Sequence, residues 1–83
     1  MKLKLDLHEI FNDSKKLDEA LHGIMNEAVE RRADIVEIIP GKGSGQLKKK
    51  VLRFLQRPQI KKMYHRVEKD SKNFGKLIVH FRF

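Results

Sequence analysis

Cysteine is absent from this chain of 83 residues. That removes a disulfide framework, a thiolate nucleophile and a cysteine-rich structural zinc site from consideration. Four histidines at positions 8, 22, 65 and 80 are too scattered to stand in as a zinc set. Long apolar runs are missing too: none approaches the roughly 20 residues of a membrane span. The first residues, MKLKLDLH, alternate charge with leucine and lack the apolar centre of a signal peptide. The expectation is a soluble, cytoplasmic, single-domain protein over residues 1–83, small but above the size at which staples become obligatory.

Negative charge is the most informative shortage. No Asp or Glu occurs between Ile38 and Val67. Residues 1–37 carry six Lys/Arg against nine Asp/Glu, whereas residues 38–83 carry thirteen Lys/Arg against Glu68 and Asp70 alone. The formal net charge of +8 therefore comes from the second half. Such a distribution makes a field that attracts polyanions. A solvated basic face is the competing explanation.

What is present is clear periodicity. Residues 2–8 (KLKLDLH) set Leu3, Leu5 and Leu7 against Lys2, Lys4, Asp6 and His8, the period of a half-buried strand. Asn12, Asp13 and Ser14 are candidate helix starts. Leu17, Ala20, Leu21, Ile24, Met25, Ala28 and Val29 then repeat at helical spacing, interrupted by Gly23, which would mark close packing. DIVEII (34–39) is short and β-branched, as in a strand covered on both faces. A second helix spans 44–57, with Leu47, Val51, Phe54 and Leu55 on one face and Lys48, Lys49, Lys50, Arg53 and Arg57 on the other. Ser44 is its N-cap candidate, and Pro58 stops it from outside. Residues 60–69 read as extended, 70–75 (DSKNFG) as a hairpin connection, and 76–83 (KLIVHFRF) as an alternating strand. The order is β-α-β-α-β-β in one layered domain, with the first two strands parallel.

Between the second strand and second helix lies the run IIPGKGSG (38–45). It lacks the four-residue frame of a P-loop, and no acidic residue follows at the distance a dinucleotide fingerprint requires. A glycine turn at the positive end of a basic helix remains an anion site, with Lys42 adding a full charge. A tight turn needing only positive φ angles is the plainer alternative. Asp6 and His8 share the polar side of the first strand, near the end that should adjoin this turn. Together they could do acid–base chemistry or bind a divalent ion; a polar strand end is the alternative.

LDLH (5–8), LDEAL (17–21) and IIPGKGSGQLKKKVLRFL (38–55) together resemble the Smr (small MutS-related) domain over nearly the whole chain. Its two motifs are written LDxHG and HGxG. The resemblance implies a βαβαββ α/β two-layer sandwich, similar to the C-terminal domain of translation initiation factor 3. It also implies nucleic-acid binding, with nicking endonuclease activity on DNA or RNA in several members. Asp6 and His8 match the first motif and are the candidate catalytic pair. Gly41 and Gly43 match the second motif, and the anion-binding set is Gly41, Lys42, Gly43, Ser44, Lys48, Lys49, Arg53 and Arg57. Two positions depart from the pattern: Glu9 replaces the glycine of LDxHG, and Pro40 replaces the histidine of HGxG. Proline has no proton to offer. His65 and His80 are the remaining histidines that could replace it.

Three functions compete. The first is nucleic-acid binding through backbone phosphate, with Tyr64 either stacking on an unpaired base or packing in the core. The second is an endonuclease using Asp6 and His8, in which any metal would be Mg²⁺ held by Asp6 through oxygen and water. The third is a non-catalytic interaction module docking an acidic protein through its basic face.

Overall fold

The alternation of Leu3, Leu5 and Leu7 turns one side of the first segment inward, and this sets the layer arrangement. The computed structural model describes residues 1–7, 14–40, 46–69 and 76–82. Its elements are β1 (Lys2–Asp6), α1 (Ser14–Arg31), β2 (Ile35–Ile39), α2 (Gln46–Leu55), α3 (Pro58–Lys61), β3 (Arg66–Lys69) and β4 (Leu77–His80). The strands form one mixed sheet in the order β1-β2-β4-β3. β1 runs parallel to β2, and β4 is antiparallel to both its neighbours.

Register explains the core. Leu3, Val36, Val79 and Val67 align across the four strands, and Leu5, Ile38 and Leu77 form the next row. These residues pack in one hydrophobic cluster with Leu17, Leu21, Met25 and Ala28 of α1 and Val51, Phe54 and Leu55 of α2. The result is a two-layer α/β sandwich with helices on one face of the sheet. α1 ends with Arg32 in the left-handed region (φ 54°). The Ala33 amide donates to the Ala28 carbonyl at 2.8 Å, and the Arg32 amide donates to Val29 at 3.3 Å, a paired helix-ending arrangement.

Several sequence expectations change. The segment 60–69 is not uniformly extended: residues 58–61 form α3, and the strand occupies only 66–69. Proline pushes the preceding residue out of helical geometry, and Arg57 sits at φ −59°, ψ 136°. Pro58 is also well suited to the first position of a helix, so it both closes α2 and opens α3. The spacing of Ile60, Met63 and Tyr64, all turned toward the core, is helical rather than alternating. Gly23 marks no close packing, for nothing lies within 4 Å of where a Cβ would stand. β1 stops at Asp6, although the Leu7 amide still donates to the Ile39 carbonyl at 2.9 Å. The candidate starts Asn12 and Asp13 and the 70–75 connection lie outside the described residues.

β2 is covered on both sides, but not by helices on both. Val36 and Ile38 face the helices, whereas Glu37 faces the open side of the sheet and is only 7 % exposed. Lys2 Nζ lies 2.6 Å and Lys76 Nζ 3.0 Å from its Oε1. Hydrogen bonds, first from Lys2 and then from Lys76, hold the Glu37 carboxyl below its ordinary value of 4.5, outweighing the opposing effect of burial. A depressed folded-state pKa gives stability that is fully present above 4.5 and is lost as pH falls through the folded value. Denaturant midpoints measured from pH 7 down to pH about 3 should therefore drop below the ordinary glutamate range. Glu37→Gln should flatten that drop; an unchanged acid limb would assign it to another carboxylate.

Candidate nucleic-acid interface

The candidate interface is built on α2. Val51, Phe54 and Leu55 are buried and fix the rotation of this helix. Lys49, Lys50 and Arg53 are thereby turned to solvent, while Lys48, on the flank, is half-buried. No acidic residue occupies the first turn. Lysines there oppose the helix dipole, so local helix stability does not account for Lys48 and Lys49. Among the described residues, Lys48, Lys49, Lys50 and Arg53 have no carboxylate within ion-pair distance. The helix is thus a concentrated, uncompensated row of positive charge.

Beside it, α1 and α2 enclose a cleft of ≈ 210 Å³, lined on its polar side by Ser14, Asp18, Lys50, Arg53 and Arg57. Phe54, 2 % exposed, forms part of its apolar wall. The Arg57 guanidinium lies 5.0 Å from the Phe54 ring centroid and 3.1 Å from Asp18 Oδ1. His22 meets the same ring edge-on at 4.9 Å, with its Nε2 3.6 Å from Asp18 Oδ2. Lys50, Arg53 and Arg57 follow helical spacing and could be grouped from the sequence. The role of Asp18 and the contact of His22 with Phe54 could not, because both depend on the packing of α1 on α2.

The other end of the anticipated site is at the edge of the sheet. Asp6 is in register with Ile39, so the end of β1 does adjoin the exit from β2. Asp6 alternates with the inward-facing Leu5 and Leu7, which puts it on the open face of the sheet, away from the helix layer carrying the basic row. Pro40 is buried where the motif pattern has histidine. His8, Gly41, Lys42, Gly43 and Ser44 lie outside the described residues.

Neither remaining histidine takes the missing place. His80 is in register with Ile35, four residues along β2 from Ile39, or about 13 Å at the strand rise. His65 is tied to that same distant end, its amide donating to the His80 carbonyl at 2.7 Å. Among the described residues, no three His, Asp or Glu side chains converge on a cation site. Glu37, on the same sheet face as Asp6, is committed to two lysines.

Tyr64 is resolved in favour of packing. It borders the core, and its hydroxyl donates to the Leu55 carbonyl at 2.7 Å, satisfying a backbone acceptor at the end of α2. Burial raises its pKa. A ring held in this way braces the basic helix.

Among the described residues, no helix is long and apolar enough to cross a membrane. In comparisons with known proteins, the family model described as Smr domain matches residues 5–82. No curated protein and no solved structure matches the chain.

Proposed function

The chain belongs to the Smr domain family, which is associated with nucleic-acid binding and nuclease activity, and we propose on that basis that it binds nucleic acid through the phosphate backbone. The observation that carries this reading is the uncompensated basic row of α2, with two lysines in a first turn whose dipole disfavours them. Lys48, Lys49, Arg53 and Arg57 supply charge-assisted contacts to phosphate oxygens, and Lys50 joins them. Gly41, Lys42, Gly43 and Ser44, the anion-binding run expected from the sequence, belong to the same proposed contact set. Such contacts position a strand without reading its bases, so DNA and RNA are both substrates for the test.

Strand cleavage rests on Asp6 and His8 in this reading, with no proton donor at position 40. The deciding experiment is a binding and cleavage assay on labelled supercoiled DNA and structured RNA, with and without Mg²⁺, beside an Asp6→Asn control. The expected result is binding that weakens steeply with salt. Cleavage abolished by Asp6→Asn would assign an active site to the end of β1. Binding without cleavage would leave a phosphate-binding domain. If neither nucleic acid binds, the reading is wrong and the basic face serves a different partner.

A further inference from the structure

We propose that Lys50, Arg53 and Arg57 take their phosphate in the cleft between α1 and α2, and that Asp18 occupies this subsite as an internal competitor for the anion. Among the described residues, three cations, Lys50, Arg53 and Arg57, surround the space, and Asp18 is the one carboxylate lining it. Of these three cations Asp18 meets only Arg57, at 3.1 Å, its other oxygen lying 3.6 Å from His22 Nε2 on its own helix. Lys50 and Arg53 have no carboxylate within ion-pair distance among the described residues. An entering phosphate would meet all three cations, whereas the resident carboxylate meets one.

The energetics favour displacement. Both partners of the Asp18–Arg57 pair are close to half exposed, with side-chain exposures of 43 % and 50 %. Ion pairs so placed contribute only about 0–1 kcal/mol. Arg57 needs no new anchor after release, because the Phe54 ring already holds its guanidinium at the cleft. Phosphate oxygens accept charge-assisted hydrogen bonds from guanidinium groups, often in pairs, which a carboxylate committed elsewhere on its own helix cannot match. The phosphodiester is the ligand class because the exposed Lys49 continues the same positive row along α2. One strand could then engage the row and the cleft together. This source of phosphate rests on the nucleic-acid reading above; the cleft itself does not.

The test compares Asp18→Asn with Glu27→Gln in the full chain. Both changes remove one negative charge from α1, but Glu27 pairs with Arg31 at 3.0 Å, outside the cleft. Binding to a fluorescein-labelled oligonucleotide is measured over a salt series. Asp18→Asn should tighten binding by roughly two- to fivefold, fivefold being the upper worth of the pair it breaks. It should also steepen the salt dependence by about one phosphate contact. Glu27→Gln should change affinity by less than about twofold, as expected of a distant surface charge. Adding Arg53→Ala to Asp18→Asn should reverse the gain. Equal effects of the two single variants, or no effect of Asp18→Asn, would overturn the subsite and leave the binding reading intact. If no oligonucleotide binds, the binding reading fails, and a titration with inorganic phosphate decides the cleft alone. Shifts of the Lys50, Arg53 and Phe54 amide resonances would support it, and their absence would overturn it.

Discussion

Replacing Lys49, Lys50 and Arg53 together with alanine is expected to remove about half of the salt-sensitive part of nucleic-acid binding. Three phosphate contacts correspond to a log–log salt slope of about −2.7. The loss of affinity caused by the triple change should therefore be roughly 40 times larger at 50 mM than at 200 mM salt. All three side chains are exposed, so their removal opens no cavity. Lys49 opposes the dipole at the start of α2 and Arg53 complements it in the last turn, so the two effects offset and the melting temperature should hold. Fluorescence anisotropy over a salt series, with thermal melts of both proteins, separates lost contacts from lost folding. An unchanged slope would show that the polyanion is bound elsewhere.

The largest effect on stability is expected from Ile38→Ala. Ile38 is fully buried. It lies in the row between Leu5 and Leu77, at the centre of the sheet and under the helices. Truncation at such a site removes transfer free energy and leaves a cavity whose rigid walls close only in part, costing about 2–5 kcal/mol. A domain of this length has a total stability on the order of 4–12 kcal/mol. A loss of about 3 kcal/mol would lower the melting temperature by roughly 12–24 °C. Urea denaturation should show an earlier midpoint with an unchanged slope. A loss under about 1 kcal/mol would mean that the row can collapse around the missing atoms.

Much of the architecture was legible because periodicity is a local signal. The spacing of Leu17, Leu21, Met25 and Ala28 marks the buried stripe of α1, and these four residues are buried. The alternation of Leu77, Val79 and Phe81 likewise marks the inner face of β4 and its continuation. At the candidate interface, the same reasoning grouped Lys49, Lys50 and Arg53 opposite Val51 and Leu55. It failed at 58–61, where Pro58 serves two helices. Proline marks a helix boundary without saying on which side the next helix lies.

The sequence by itself determined the element pattern apart from α3, the concentration of positive charge after position 38 and the replacement of a motif histidine by Pro40. These follow from the order of residues, since a two-residue or 3.6-residue repeat is set by near neighbours alone. Tertiary structure decided what those residues meet. It joined Tyr64 to the end of α2, separated His80 from Asp6 by most of a strand, and brought Asp18 from α1 against Arg57 beyond α2. Such contacts depend on which strand pairs with which and on how each helix is rotated against the sheet. Burial of the whole core fixes those choices together, and no local stretch of sequence encodes them separately.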